Sequence, residues 1–149
     1  MSLEKQVVEE MKTAMKAKDK LALETLRAIK SAILLAKTES GAGEELNQDQ
    51  ELKLVQKLQK QRKEAADIYT QQGRDDLAKE EEAQAEILAK FLPKPLTDEE
   101  LDMALKAIVD RTGASGMQDM GKVMGIASKE LMGKADGKRI SAHVREILK

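Results

Sequence analysis

Apolar residues recur at intervals of three and four positions along almost the whole chain. This spacing places them on one face of an α-helix. Together with capping and glycine signals, it predicts seven main helices. The predicted helices cover about residues 3–18, 20–40, 47–72, 75–90, 98–112, 116–124 and 137–148. A loop at Gly41–Glu45 and a break at Gly125–Ser128, followed by a short helical turn near residues 130–132, interrupt the pattern.

Turn and capping signals mark several of these helix boundaries. The third and fourth helices are separated only by Gly73–Arg74, so we expect them to form an antiparallel hairpin. Thr97 and Glu100 have the spacing of a capping box at the start of the fifth helix. Ser115 and Gln118 repeat that spacing and are predicted to cap the sixth helix.

The segment Leu92-Pro93-Lys94-Pro95 predicts a boundary between two parts of the chain. Proline lacks the N–H that a helix needs, and it disfavours helix in the residue before it. We therefore predict an all-α fold with domains at residues 1–93 and 94–149. The first is a multi-helix bundle that contains the long helical hairpin, and the second is a small three-helix-type domain. The second helix is apolar around more than half its circumference, which is typical of a central helix.

Two charged residues fall inside apolar helix stripes. At about 100° per residue, Arg62 lies within the stripe of the third helix and Glu81 within that of the fourth. An unpaired charge would be costly to bury there. We predict an Arg62–Glu81 ion pair, or pairing of each with the second helix through Glu24 and Arg27. Such a network fixes helix register, and the alternative is that Arg62 lines a cleft.

The composition excludes several kinds of site. The chain has no Cys and one His, which rules out disulfides, thiolate catalysis, Cys-based zinc sites and His-rich metal sites. No catalytic residue and no cofactor is predicted. Three glutamates within the first ten residues argue against a signal or transit peptide, and no apolar run approaches the ~20 residues that span a bilayer. We therefore expect a cytosolic protein without a metal or a membrane segment.

Three further motifs are better explained by structure than by chemistry. Gly116–Lys122 has the spacing of a phosphate-binding loop, but Val123 replaces the hydroxyl that would bind magnesium and no strand precedes it. Three of the four carboxylates at Glu80, Glu81, Glu82 and Glu86 project outward and are interpreted as a solvated helix face. His143 has no acidic partner nearby in the sequence and is interpreted as a residue at the domain edge.

Basic residues gather near the carboxyl end of the chain. Residues 111–149 carry a net charge of +4, whereas the other 110 carry −5. Lys134, Lys138 and Arg139 surround the predicted start of the last helix at Asp136–Gly137. A helix start is already positive, so cations there indicate a phosphate site formed with free backbone N–H groups. The alternative is that Asp136 caps the helix and the basic side chains are solvated. Aromatic residues for base stacking are nearly absent, so recognition would depend on backbone and shape.

Six short motifs follow one another along nearly the whole chain. They are Leu23-Glu-Thr-Leu-Arg27, Lys60-Gln-Arg-Lys-Glu64, Gly73-Arg74 with Asp76-Leu77-Ala78, Phe91-Leu92-Pro93, Asp119-Met-Gly-Lys-Val-Met124 and Gly133-Lys-Ala-Asp-Gly137. As an ordered set they closely resemble the YqeY family of the GatB/YqeY group. Gln84 departs from the family pattern, in which we expect an acid. The C-terminal part also resembles the tail domain of GatB, the tRNA-binding subunit of the glutamine-dependent aminoacyl-tRNA amidotransferase.

The resemblance implies a two-part helical fold and an association with glutamine-dependent amidotransferase activity, a carbon–nitrogen ligation. Gly121, Lys122 and Met124 match the helix motif of the tail domain, and Gly133 and Lys134 match the loop that follows it. The predicted phosphate contacts are Lys122, Lys134, Lys138 and Arg139. The glycines, with Gly137, are expected to permit close approach of a helix or of RNA.

Three functions follow from these observations. The first is a tRNA-binding accessory module, supported by the basic segment and the tail-domain likeness. The second is a protein-interaction module that docks through helix faces, supported by Met117, Met120 and Met124 on one helix, since Met suits adaptable surfaces. The third is a complete amidotransferase or a regulator of one. Against a complete enzyme, the chain has no serine-rich amidase signature and no ATP site.

Overall fold

Every regular element in the described part of this computed structural model, residues 2–39 and 45–149, is helical. The all-α prediction is therefore confirmed. The predicted loop at Gly41–Glu45 lies, apart from Glu45, outside the described residues. Contacts divide the chain into two units, unit 1 (Met1–Leu92) and unit 2 (Pro93–Lys149). That these units are the two predicted domains stays a prediction.

In its described residues, unit 1 contains four α-helices. They are α1 (Leu3–Ala17), α2 (Lys20–Glu39), α3 (Gln48–Gln71) and α4 (Asp75–Ala89). The Ser2 hydroxyl accepts from the Lys5 N–H at the start of α1, and Asn47 forms a capping box with Gln50 at the start of α3. Each cap satisfies a backbone N–H that lacks a carbonyl partner in the first turn.

The hairpin of α3 and α4 is present as predicted, with α3 ending at Gln71 and α4 beginning at Asp75. Gly73 allows the sharp turn because its φ of +75° lies in the left-handed region that favours glycine. The Arg74 N–H then donates to the carbonyl of Tyr69 at 2.8 Å, which closes the end of α3.

The core of unit 1 forms around α2. This helix packs against α1, α3 and α4, as its broad apolar surface predicted. Part of that surface stays uncovered, since Leu34 is 50% exposed and Leu35 is 61% exposed. The buried residues of this core are Leu3, Val7, Ala14, Leu26, Ile29, Ile33, Val55 and Leu88.

Unit 2 contains three α-helices and one short 3₁₀ turn. They are α5 (Asp98–Thr112), the 3₁₀ turn (Met117–Asp119), α6 (Met120–Glu130) and α7 (Gly137–Leu148). The predicted capping box of Thr97 and Glu100 is present at the start of α5. Each of the three α-helices packs against the other two. Their shared core includes Leu101, Leu105, Ile108, Val123, Ala127, Ile140 and Val144.

The sixth helix differs from the prediction in continuity. The break predicted at Gly125–Ser128 is wrong, because α6 runs without interruption to Glu130. Val123 and Ala127 are fully buried in the core of unit 2, one turn apart on the inner face. Their packing holds the helix across Gly125, although glycine weakens an isolated helix by about 1 kcal/mol.

The start of the sixth helix also differs from the prediction. Ser115 does not cap it, since no side-chain cap is present at the start of the 3₁₀ turn or of α6. Instead the Ser115 N–H donates to a carboxylate oxygen of Asp119 at 2.9 Å. The Gln118 side-chain amide donates to the Ser115 carbonyl at 2.9 Å. These bonds tighten the chain into the 3₁₀ turn that precedes α6.

The core of unit 2 predicts a strong effect of substitution at Leu105, which is 0% exposed. Leu105→Ala should lower the free energy of unfolding of unit 2 by about 2–5 kcal/mol, because it removes buried methyl groups and leaves a cavity. Met103→Ala is the matched control, since Met103 is 73% exposed on the same helix. The control should change the free energy by less than about 0.5 kcal/mol. Urea unfolding combined with hydrogen exchange of peptides from unit 2 measures both, and equal effects would contradict the packing.

Candidate nucleic-acid interface

The turn between α6 and α7 presents two of the predicted phosphate contacts to solvent. Lys134 lies in the turn and Lys138 lies in the first turn of α7, and both are exposed. Asp136 caps α7, because its carboxylate accepts from the Arg139 N–H at 2.8 Å. Among the described residues, neither ammonium group has an ion-pair partner. Their positive charge is therefore available to an anion.

Gly133 shapes this turn. Its φ of +80° lies in the left-handed region, and the residue is buried. The Lys134 N–H donates to the Leu131 carbonyl, and the Lys134 carbonyl accepts from the Leu96 N–H, both at 2.9 Å. A side chain at position 133 would strain the backbone, so this glycine orients Lys134.

The outer face of α6 carries a third predicted phosphate contact. Residues three and four positions apart share a helix face. Five exposed residues form this face of α6. They are Gly121, Lys122, Gly125, Ser128 and Lys129. A Cβ atom added at Gly121 or at Gly125 would meet nothing within 4 Å. In the described part of the chain, these glycines therefore do not serve close helix packing, and they leave a low surface beside Lys122.

The two remaining motif residues have different surroundings. Met124 is half-buried and packs against the core of unit 2. Gly137 is the first residue of α7, is exposed, and would also accept a Cβ atom without a contact within 4 Å. Met124 thus has a packing role, while Gly137 leaves the start of α7 open.

Arg139 has intramolecular partners, unlike the three lysines. Its Nη2 donates to the Leu96 carbonyl at 3.0 Å and to the Asp98 carboxylate at 2.9 Å. These bonds join the start of α7 to the start of α5. The Arg139 guanidinium also lowers the pKa of the Asp98 carboxyl below its ordinary value. Arg139 stays a predicted phosphate contact, but it shares its charge with Asp98.

The structure corrects the interpretation of His143 as a residue without acidic partners. Its Nδ1 lies 2.6 Å from an Asp102 carboxylate oxygen, and its Nε2 lies 3.4 Å from one of Asp98. The sequence contains a signal for this arrangement. Asp98 and Asp102 are one turn apart on α5, and Arg139 and His143 are one turn apart on α7, so the two pairs meet when the helices pack. The sequence does not reveal that α5 and α7 are neighbours.

Charge is unevenly distributed within unit 2. Residues 93–110 contain two basic and five acidic residues, a net charge of −3, whereas residues 111–149 carry +4. The unit as a whole carries only +1. Its acids gather on α5 and its cations on α6, the following turn and α7. The predicted phosphate contacts therefore all lie in the part of unit 2 that follows α5.

Arg62 and Glu81 lie together in unit 1. The Arg62 Nε is 3.8 Å from an Oε of Glu81, and it donates to the Oε1 of Gln84 at the shorter distance of 2.7 Å. The two charged side chains are about a quarter exposed (25% and 24%), so the pair is partly rather than fully buried. Gln84 was not predicted as a partner, although it lies three residues after Glu81.

Arg27 does not belong to this network, which corrects the prediction. It is exposed on α2, as is Glu24, because Leu26, Ile29 and Ile33 occupy the side of the helix that faces the core. In the described part of the chain, Arg27 has no ion-pair partner. The polar contacts of Arg62 between α3 and α4 are therefore those with Glu81 and Gln84.

A cleft of about 320 Å³ lies in unit 1, apart from the predicted phosphate contacts. Its lining is Leu3, Gln6, Gln48, Glu51, Leu52 and Phe91. The Leu3 N–H donates to the Glu51 carboxylate at 2.6 Å, so this acid caps α1 from a neighbouring helix. Among the described residues, no cationic side chain lines this cleft.

Two other kinds of site are absent from the described residues. None of their helices combines the length and apolar character needed to cross a membrane. No group of three or more His, Asp or Glu side chains in this part of the chain is arranged to hold a metal ion.

Substitution of Arg62 tests the network in unit 1. Arg62→Met should lower the free energy of unfolding by roughly 1 kcal/mol, because it leaves Gln84 and Glu81 without their cationic partner in a partly buried place. Arg27→Met is the matched control and should stay within about 0.5 kcal/mol of the wild type. Urea unfolding of both variants measures the difference. Equal effects would show that Arg62 does not stabilise the hairpin.

The Arg139–Asp98 pair predicts a pH dependence of stability. Because the folded state lowers the pKa of Asp98, it favours the carboxylate. The stabilisation is fully present above the pKa of an unfolded aspartate, about 3.9, and is lost as pH falls through the lower folded value. Asp98→Asn should therefore lower the unfolding temperature at pH 7 and approach the wild type near pH 3. Thermal unfolding from pH 7 to pH 3 measures this, and a constant difference between the two proteins would contradict it.

Comparison with known proteins identifies a family and a relative. The family model described as Yqey-like protein matches residues 4–148. A relative from Pyrenophora tritici-repentis (strain Pt-1C-BFP), "Altered inheritance of mitochondria protein 41, mitochondrial", is 29% identical over 143 residues. The alignment covers 93% of this chain and 77% of the relative. Because the family match includes the helices of both units, this chain belongs to the YqeY family.

Proposed function

We propose that this chain is a tRNA-binding accessory module. Its role would be related to that of the glutamine-dependent aminoacyl-tRNA amidotransferases, which are carbon–nitrogen ligases with glutamine as amide donor, and it would not be catalytic alone. The observation that supports this proposal is the set of exposed lysines on α6, in the turn that follows it and on α7. Lys122, Lys134 and Lys138 have no ion-pair partner among the described residues, and an anion can therefore reach each of them.

The chemistry of these residues favours a nucleic-acid backbone as the ligand. Lysine ammonium groups bind phosphate as point charges and carry no base preference. Apart from Lys122 and Lys129, the outer face of α6 consists of Gly121, Gly125 and Ser128, so a phosphate backbone can come close to the two lysines. The single Tyr and single Phe of the chain exclude a series of aromatic stacking platforms. Recognition would then depend on the shape of a folded RNA.

The compartment is also part of the proposal. The expectation of a cytosolic protein stays a proposal. The name of the relative from Pyrenophora includes the word mitochondrial, which describes the relative and not this chain. Both compartments contain tRNA, so the proposed ligand does not depend on the choice.

A helical protein-interaction module is the second candidate. The methionines that suggested it are mostly turned inward, since Met120 and Met124 are half-buried against the core of unit 2. A different observation favours it, namely the exposure of Leu34 and Leu35 on α2, at 50% and 61%. Adjacent exposed leucines suit a protein surface better than a phosphate backbone.

The tRNA proposal predicts salt-dependent binding that depends on the three lysines. Lys122→Gln, Lys134→Gln and Lys138→Gln in combination should weaken binding of bulk tRNA. The triple substitution should also reduce the slope of log K against log salt by roughly 2–3, because a complex with fewer phosphate contacts releases fewer counterions when it forms. Fluorescence anisotropy from 50 to 200 mM salt measures both effects.

The control variant carries Lys53→Gln, Lys57→Gln and Lys63→Gln, which remove three exposed charges from α3. It changes the net charge equally but should leave the slope nearly unchanged. An equal loss in both triple variants would mean that binding reflects net charge alone. Absence of tRNA binding by the wild type at 50 mM salt would refute the proposed function.

A further inference from the structure

Arg139 is the one predicted phosphate contact whose charge is shared within the described residues. It belongs to the same turn of the fold as Lys134 and Lys138, yet its Nη2 donates to the Asp98 carboxylate at 2.9 Å. The pairing is not forced by burial, since the side chains of Arg139 and Asp98 are 34% and 74% exposed. An acid from α5 thus reduces the positive potential at the start of α7.

The geometry leaves most of the Arg139 guanidinium open to a ligand. Nη2 provides the donors for the Leu96 carbonyl and for Asp98. The Nε and Nη1 groups have no hydrogen-bond acceptor among the described residues. Guanidinium has five N–H donors in a planar fork, so a phosphate could bind its free edge while Nη2 keeps the Leu96 carbonyl.

Asp98 is well placed to oppose such a ligand. Its carboxylate faces both Arg139 and the Nε2 of His143, 3.4 Å away. The Arg139 hydrogen bond lowers the pKa of Asp98, so the acid is ionised at neutral pH. An incoming phosphate therefore meets a neutralised guanidinium and a nearby negative charge, instead of a free cation.

We infer that Asp98 is an autoinhibitory carboxylate that masks Arg139 from RNA phosphate groups. The inference rests on the proposed tRNA-binding function. Phosphate and Asp98 compete for the charge of one guanidinium, so the phosphate site at the start of α7 is weaker than its residues suggest. Removal of the Asp98 charge strengthens phosphate capture, and it does so through Arg139.

Asp98→Asn isolates this effect, because the asparagine oxygen can still accept from Arg139 and preserve the geometry. The variant should bind tRNA about two- to fivefold more tightly at 50 mM salt, in proportion to the worth of an exposed ion pair. Glu99→Gln is the matched control. It removes one exposed charge from the adjacent residue of α5, which has no ion-pair partner in the described part of the chain, and its effect should be smaller.

A double-variant cycle separates masking from simple repulsion. In an Arg139→Gln background, Asp98→Asn should increase the affinity for tRNA no more than Glu99→Gln does, because the guanidinium that Asp98 masks is gone. Repulsion of RNA by Asp98 alone would survive in that background, and this result would overturn the inference. Thermal unfolding of each variant checks the fold, and Asp98→Ser, which retains an acceptor oxygen, replaces Asp98→Asn if the latter is unstable.

A second probe distinguishes failure of this inference from failure of the tRNA proposal. Inorganic pyrophosphate is titrated while the Arg139 Nε–H signal is followed by NMR in the wild type and in Asp98→Asn. The signal should respond at a lower pyrophosphate concentration in the variant. If no variant binds tRNA but this response is seen, the tRNA proposal fails and masking of an anion site stands. If tRNA binds while Asp98→Asn equals Glu99→Gln in both assays, masking is refuted and the tRNA proposal stands.

Discussion

One guanidinium joins the first turn of α7 to the entry of α5. Arg139 binds the Leu96 carbonyl and the Asp98 carboxylate, while the Leu96 N–H donates to the Lys134 carbonyl at 2.9 Å. The backbone at Leu96 is therefore held through both of its polar groups. Exposed ion pairs contribute only about 0–1 kcal/mol, so the apolar core supplies most of the stability of unit 2. The contacts at Arg139 instead determine where Lys134 and Lys138 lie relative to α5.

This junction also explains how a unit with a net charge of only +1 can present exposed lysines that have no ion-pair partner among the described residues. Its acids are concentrated on α5, and two of them are matched with Arg139 and His143. The lysines of α6 and α7 lack such partners among the described residues, so their positive charge is not neutralised by a neighbouring acid. Because salt screens charges over about 8–10 Å, a ligand at the α6–α7 side responds to the local cations more than to distant acids. Net charge is therefore a poor guide to the partner of this unit.

Local signals in the sequence predicted most of the helices, because each depends on a few neighbouring residues. Thr97 caps α5 as predicted, Asn47 and Asp136 cap α3 and α7 close to the predicted helix starts, and Gly73 turns the hairpin. The errors arose where tertiary packing decides. Gly125 weakens α6 locally, but the burial of its neighbours keeps the helix continuous.

The site was predictable only to the level of residue type. The pattern at the start of the last helix indicated which cations gather there, and the structure places Lys134 and Lys138 at that helix start. The sequence pattern could not indicate that Asp98, 41 residues before Arg139, would pair with the Arg139 guanidinium. Likewise Gln84 became the nearest partner of Arg62 through the packing of α3 on α4, which no local signal encodes. Pairwise contacts between distant segments depend on helix register, and register is set by the whole core.

Gly125 connects this structural account with the proposed ligand. A glycine in a helix interior weakens the helix by about 1 kcal/mol relative to alanine. Here an added Cβ atom would have open space, with nothing within 4 Å. Alanine would therefore fit the folded chain and stabilise it. The packing of the described residues does not compensate for the stability lost by having glycine at position 125. The absence of a side chain there is better explained by a ligand that approaches α6 from outside. A phosphate backbone lying across α6 between Lys122 and Lys129 would use that space, which supports the proposal that this face binds RNA.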